Sequence, residues 1–504
     1  MPREQLPRPV VDASVHTRLA VSDRGFGLMV GLGFLVVAGY LTAHHEPWRD
    51  EMQAWLLARD SPTFGMLVRH MRYEGHPPLW QLLLFVPQRT VGATPATMQA
   101  LNVFFAAAAV TTFAAFAPFS RGQRVLFAMG FFPLYMYGAI ARDYALTLLC
   151  VFASVALVPR RRERAAALAV VLLVLCWTTI FGLIFALAFL AALLPDASET
   201  RWPRAWGILV VAGAALSAWQ MQPPPDSGYA VGWHFGLEPE RLRQALLSAG
   251  NAVFPLEAPG GSFGAPPWFR IHSGRSRLIG GAAAGAVLIW AGVAARRKPI
   301  ALRFHLVVVA GLLGFLYAKH IGAIMHHGFI LVALLCTLWL ATEGADPPRV
   351  VLTGLLLVQA VAGVVPAIRD TRGVFSYGRA VAVFLQRQHL DGNPLVGYPD
   401  AAMATVLGFL PGRTAFFPGP DREGTFTIWD QARLREPADR EIVAKAESLA
   451  IRRGRPAILV VTHAVDHPMA EPLAAFIGGY VGPDEDFYVY RVSPVLTGAE
   501  RDSP

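Results

Sequence analysis

Apolar runs separated by short polar connections dominate the first three quarters of the chain, at 26–43, 97–118, 125–140, 144–158, 165–178, 180–194, 206–219, 278–295, 302–317, 328–340 and 350–367. Each run predicts a helix, and although several fall short of the roughly 20 residues of an upright span, together they predict about eleven crossings. After residue 367 the pattern changes to that of a soluble domain. Helical stretches at 377–390, 440–452 and 469–477 alternate with strand-like runs at 395–398, 457–462 and 487–492, which predicts a small α/β domain.

The connections orient this pattern. A chain that starts in the cytoplasm and crosses at every run places Arg121 and Arg124, the cluster Arg160, Arg161, Arg162 and Arg164, then Arg201 and Arg204, Arg296 to Lys298, and Arg349 all on one side. Short Lys/Arg-rich loops stay cytoplasmic, so the C-terminal domain is expected outside. The stretch 165–194 then reads as two spans turning near Thr178 and Thr179, because a single tilted helix would send every later basic cluster outward. The polar leader before residue 26 is long and the sequence after 43 lacks a small-residue cleavage site, so the first run is expected to be an uncleaved span. The expected fold class is an α-helical polytopic membrane protein with a C-terminal extracytoplasmic α/β domain. Its parts are a cytoplasmic tail 1–25, a membrane domain 26–367 with outer loops 44–96 and 221–276, and a soluble domain 368–504. Arg241, Arg243, Arg270 and Arg275 in the second outer loop run against this orientation or serve a ligand.

Composition agrees. The chain is 54% hydrophobic and 16% charged, with mean hydropathy +0.43, which excludes a wholly soluble protein. The net charge of +9 is spread in short clusters between apolar runs, with no arginine-aromatic tract for stacking on bases, so nucleic acid is disfavoured as a partner. Cys150, Cys176 and Cys336 all lie in apolar runs and frame no disulfide scaffold. There is no Walker loop, no glycine-rich dinucleotide turn after a strand, and no internal repeat.

Candidate chemistry concentrates on the outer side. The first loop reads His44-His45-Glu46-Pro47-Trp48-Arg49-Asp50-Glu51, an acidic pair opening an amphipathic helix with Met52, Trp55 and Leu56 on one face, expected to lie in the interface plane. Asp50 and Glu51 read either as partners of the helix dipole or as a carboxylate base at the water-lipid boundary. Tyr73-Glu74-Gly75-His76-Pro77-Pro78 follows, where the diproline fixes the entry into the next segment. Arg142 and Asp143, beside Tyr144 and flanked by apolar residues, either anchor the helix end by snorkelling or mark a ligand. Lys319, His320, His326 and His327 lie between the ninth and tenth runs and suit a phosphate, a metal or the interface itself; the adjacent pair 326 and 327 would face different ways on a helix, which weakens a metal reading.

The ordered set of Asp50-Glu51 after the first span, His76-Pro77-Pro78-Leu79, and Ala141-Arg142-Asp143-Tyr144-Ala145-Leu146 resembles the GT-C superfold of integral membrane glycosyltransferases, in particular the protein O-mannosyltransferase and aminoarabinose-transferase branch. The resemblance covers roughly the first 200 residues. It implies a sugar donor carried on a polyprenyl phosphate and, by motif, Asp50 as catalytic base. In some relatives a second acidic residue helps near the end of the third span; Asp143 is the nearest carboxylate here, with Tyr144 the other occupant of that slot. The residues themselves suggest Arg142 and Lys319 as phosphate holders. Glu51 would serve as a catalytic or supporting carboxylate, and His76, Tyr144, His320 and His326 as acceptor-binding or supporting groups. A single base attacking in line implies inversion. No cofactor is assigned, a divalent metal is left open, and the expected partners are the donor, membrane lipids, and a lipid, glycan or protein acceptor. The rivals are a transporter or flippase of lipid-linked sugars and a non-enzymatic assembly factor. The expected location is an inner cell membrane.

Overall fold

The computed structural model describes residues 22–195, 202–228, 232–255, 274–342 and 349–494. In chain order its helices are α1 (Asp23–His44), α2 (Arg49–Asp60), α3 (Phe64–His70), α4 (Leu79–Thr90), α5 (Pro95–Phe116), α6 (Arg121–Ala128), α7 (Tyr144–Leu157), α8 (Ala165–Cys176), α9 (Ile180–Leu193), α10 (Arg204–Gln220), α11 (Pro239–Val253), α12 (Gly274–Ala295), α13 (Pro299–Ala318), α14 (Ile324–Ala341) and α15 (Arg349–Arg372). Each apolar run is therefore helical. Among the described residues six helices, α1, α5, α12, α13, α14 and α15, are long and apolar enough to cross a membrane. Large apolar side chains such as Leu32 and Val36 on α1, Ile208 on α10 and Ile289 on α12 point outward, exposed. Apolar surface of that extent needs lipid, and the chain is an integral membrane protein.

The run at 125–140 departs from a single span. α6 ends at Ala128, and the chain re-enters as a wide-turned helix, Phe131–Ala139, in which Ile140 N–H donates to Tyr135 O at 3.2 Å. Pro133 has no N–H to continue a regular ladder, and the insertion widens the turn. All nine residues of this segment are buried. The turn between α8 and α9 falls at residues 177–179, as two spans require, with Thr179 capping α9 by accepting from Gly182 N–H at 2.8 Å.

α1 defines the two ends of the bundle. At its start Asp23 accepts from Arg124 at 3.2 Å, beside the basic connection between α5 and α6. At its other end the Thr42 hydroxyl reaches Ala139 O at 3.4 Å, and Gln99 at the start of α5 donates to Thr42 O at 3.3 Å. The outer-loop residues gather at this second end.

The C-terminal domain holds α16 (Gly378–Arg387), β1 (Leu395–Tyr398), α17 (Asp400–Leu407), β2 (Ala415–Phe417), β3 (Arg422–Gly424), α18 (Asp439–Arg453), β4 (Ala457–Val461), β5 (Glu471–Phe476) and β6 (Phe487–Val492). The sheet order is β3-β2-β1-β4-β6-β5, with β1 parallel to β2 and β4 and the remaining pairs antiparallel. β4 is buried throughout, as its unbroken Ala-Ile-Leu-Val-Val run demands of a central strand. The stretch 469–477, expected to be helical, is instead the edge strand β5. Pro472 would remove a helix hydrogen bond but is tolerated at an edge, and the register shifts just after it, between Pro472 and Ala474.

α2 is the other correction. Its apolar face is turned to protein and not to lipid: Glu51 to Ala58 are all buried. Met52, Trp55 and Leu56 join a core with Trp80 of α4 and with Val406 and Leu407 of α17, so the first outer loop forms the floor of the C-terminal domain. Gly408 permits the approach, since a Cβ there would lie 2.4 Å from Met52 Sδ.

Candidate functional site

Between the Thr42 end of the helical bundle and the C-terminal domain lies a cavity of about 950 Å³. It collects Asp50, His76, Arg142, Asp143, Tyr144, Lys319, His320 and His326, residues from four separate connections or helix starts. Of the residues predicted from sequence, Glu51 does not line it. Sequence spacing explains the split: Asp50 and Glu51 are successive residues of the first turn of α2, about 100° apart, so only one can face the cavity.

Asp50 is paired with Arg142, Nη1 to Oδ2, at 2.8 Å; its side chain is 38% exposed and that of Arg142 only 16%. Burial works against the Arg142 charge, but Tyr144 and Asp50 hold its pKa above the ordinary value. Behind it, burial raises the Asp143 carboxyl and lowers the His76 imidazole, driving both toward neutral forms, although each one's charge favours ionisation of the other. His76 Nδ1 and Asp143 Oδ1 are buried with no hydrogen-bond partner among the described residues. Tyr144 OH lies 3.0 Å from His326 Nε2, and His326 is oriented from its other nitrogen by Ala323 N–H at 2.9 Å and by Phe181, whose ring stacks at 5.4 Å. Lys319 sits over the Trp233 ring at 5.5 Å. Burial lowers the pKa of both Lys319 and His320.

Glu51 turns the other way, fully buried. It accepts from Ala141 N–H at 2.6 Å, from His45 at 2.8 Å and from Trp48 N–H at 3.3 Å. The last bond is the return half of a helix cap, so the dipole reading describes Glu51 while Asp50 is left to the cavity.

Four contributors escaped the sequence reading. Glu74 lines the cavity and is pushed up to about 7 by burial, with hydrogen bonds from Gln53 and Trp429 and the Arg142 charge pulling the other way. Gln53 donates to Glu74 at 2.7 Å and is clamped to the C-terminal domain by both backbone groups of Thr427, at 2.7 and 2.9 Å. Trp429 and Arg433 line the cavity from the C-terminal domain, the guanidinium 4.0 Å from the indole centroid and bonded to Asp400 at 3.0 Å. The turn at Glu74-Gly75, where Gly75 has φ 68°, was the one local signal; the partners in the C-terminal domain, Thr427 and Trp429, are several hundred residues away.

The second outer loop contributes less than its length suggests. Residues 238–247 form the N-cap and first part of α11; only Ala245 among them is buried in the bundle core, and none lines the cavity. Arg241 donates to Tyr317 O at 2.6 Å, and Arg243 pairs with Glu240 on the surface. Gly260-Gly261, Pro266-Pro267, Arg270 and the tail 1–21 lie outside the described residues. Among the described residues no group of three or more His, Cys, Asp or Glu side chains is placed to hold a metal ion.

No family model and no curated protein sequence matches the chain. Its fold is nevertheless similar to the crystal structure of ArnT from Cupriavidus metallidurans bound to undecaprenyl phosphate, with a TM-score of 0.52 and 13% identity over 94% of this chain and 99% of that one. The chain thus shares the fold of that structure, and the likeness extends through the C-terminal domain.

Proposed function

We propose that this chain is a membrane glycosyltransferase that moves a sugar from a polyprenyl-phosphate carrier to an acceptor on the outer side of an inner cell membrane, with the N-terminus in the cytoplasm. The observation that carries the reading is the convergence of Asp50, Arg142 and Lys319 on one cavity at the outer-loop end of the bundle. A carrier with a long apolar tail must present its phosphate there, next to cations and aromatic walls. The similar structure, bound to undecaprenyl phosphate, supports the same donor class.

In this reading Asp50 takes the proton of the acceptor hydroxyl as its oxygen attacks the anomeric carbon, and the C–O bond to the phosphate breaks with inversion. Arg142 has five N–H donors and spends one on Asp50 in the 2.8 Å contact, so its remaining edge can hold the departing phosphate beside the base. Lys319 adds a point charge from the opposite connection. The unpaired nitrogen of His76 and oxygen of Asp143 offer hydrogen bonds to sugar or acceptor hydroxyls. The test is a transfer assay with purified protein, a panel of radiolabelled polyprenyl-phosphate sugars and membrane extract as acceptor source. Movement of label from one donor, lost in Asp50→Asn, supports the reading; no movement from any donor, with wild-type protein folded, sinks it.

A further inference from the structure

Asp50 stands between two anchored residues: Arg49, whose N–H a buried carboxylate of the C-terminal domain accepts, and Glu51, itself a buried carboxylate. On its C-terminal side, Glu51 accepts from Ala141 N–H at 2.6 Å. Ala141 immediately precedes Arg142, so this carboxylate ties the two backbone segments that carry the Asp50–Arg142 pair. Glu51 is itself fixed by His45 at 2.8 Å, and His45 by Asp370 at 2.8 Å at the end of α15. Burial opposes a charge on His45, but Glu51 and Asp370 lift it to about 10. On the N-terminal side, Arg49 N–H donates to Oε1 of Glu485 at 2.9 Å. Glu485 belongs to the C-terminal domain, just before β6, and is 1% exposed.

Burying carboxylates is a costly way to finish a helix. A Ser, Thr or Asn at the N-cap would reach only the N–H groups one turn in, whereas here the N-cap residue is Trp48, its own N–H is met by Glu51, and the N–H of Arg49 is met by a carboxylate brought from the C-terminal domain. What such groups supply that a local cap does not is attachment: Glu485 ties the first turn of α2 to the sheet domain, and Glu51 ties it to the 140–143 connection.

We propose that Glu485 and Glu51 are positioning residues that hold the Asp50–Arg142 pair in register from the two domains, so that the C-terminal domain completes the reaction site as well as roofing it. The proposal rests on the reading of Asp50 as base.

Glu485→Ala removes the acceptor for Arg49 N–H, Glu485→Gln keeps an oxygen at the same reach, and Glu485→Asp keeps the charge but falls short. In the transfer assay Glu485→Ala should lower kcat about 10- to 100-fold, the cost of a small misplacement of a reacting group, with binding of undecaprenyl phosphate changed less than about twofold. Glu485→Gln should recover most of the rate and Glu485→Asp little of it. Arg379→Ala cuts an ion pair between the same regions, from the exposed Arg379 to the half-buried Glu46 at 3.5 Å, and should leave kcat within about twofold. Equal losses in the Gln and Ala variants, wild-type rates in both Ala and Asp, or loss of carrier-lipid binding in step with kcat would each overturn the proposal. Should Glu485→Ala fail to elute as a monodisperse species, the Gln and Asp pair decides by the same criterion. Asp50→Asn, run alongside, separates the two ideas: near-normal turnover there removes the base, whereas a large loss there with wild-type Glu485 variants removes only the positioning role.

Discussion

The two sides of the cavity are built on different physics. The side made by α2, the turn at Glu74 and the 140–144 connection is a lattice of charges and amides with short, directed bonds: Asp50 to Arg142 at 2.8 Å, Gln53 to Glu74 at 2.7 Å, Glu51 to Ala141 at 2.6 Å. The side made by Trp233, Phe181, Phe315 and the 319–326 connection is aromatic and histidine-lined, with ring contacts such as Phe181 on His326 at 5.4 Å. A lattice of directed bonds does not reorganise as charge develops, which suits a reacting centre. An aromatic wall with a cation at its edge suits the boundary between a lipid tail and its phosphate.

If that division is right, the largest single loss comes from the lattice side. Asp50→Asn keeps shape and removes the proton acceptor, and turnover should fall about 100- to 10,000-fold, measured as label transferred under single-turnover conditions. Binding of undecaprenyl phosphate should survive. Near-normal turnover would mean that the chemistry belongs to the other wall.

Arg142→Ala should come next, at about 100- to 1,000-fold, because it removes a donor aimed at the leaving phosphate and also leaves Asp50 without its partner. Donor binding and turnover should weaken together. Arg142→Lys restores the charge but not the planar fork, so it should recover only part of the rate; full recovery would show that a point charge is all the site needs.

How much of this contrast the sequence displayed follows from how far apart the partners lie. Arg142 and Lys319 were legible because each is a charge stranded at the end of an apolar run, where it costs free energy unless it has a use, and Asp50 because it belongs to an acidic pair that opens an amphipathic helix. The helices were legible for the same reason. The burial of α2 was not, since the pattern of Met52, Trp55 and Leu56 suits a lipid interface as well as a protein one, and only the docking of α17 decides. Glu74 gave no local sign of burial; its neighbours Gln53 and Trp429 reach it through contacts between distant segments. The Glu51 role was hidden by adjacency, because one residue of helix rotation separates a cavity carboxylate from a structural one.

Glu74 sharpens the comparison through pH. Its pKa rises from an ordinary 4.5 to about 7, chiefly by burial, so the folded state favours the neutral form. The stability this group contributes is fully present below 4.5 and is lost as pH rises through about 7. Glu74→Gln should remove that part of the slope, making the variant more stable than wild type at pH 8 by at most about 3 kcal/mol and leaving the two similar near pH 4. Glu485, also lifted to about 7 by burial, keeps a residual slope of the same sign in both proteins. Thermal unfolding in detergent at the two pH values reads this directly; identical slopes would place the Glu74 carboxylate in an environment as polar as water.

The smallest effect belongs to the aromatic wall. Lys319 projects its ammonium over Trp233 at 5.5 Å, and burial lowers its pKa, so part of its charge has already been desolvated before any ligand arrives. A desolvated point charge attracts phosphate whether or not the sugar is still attached, and this contributes to donor and product binding about equally. Interactions of that uniform kind change affinity more than turnover. Lys319→Ala should therefore weaken binding of undecaprenyl phosphate about tenfold while kcat at saturating donor falls less than about threefold, and Lys319→Arg should restore most of the affinity. Titration of the carrier lipid against each variant, paired with kcat from the transfer assay, separates the two parameters. If Lys319→Ala instead reduces kcat as severely as Arg142→Ala with affinity intact, the two walls share the transition state and the division between a reacting side and a holding side fails.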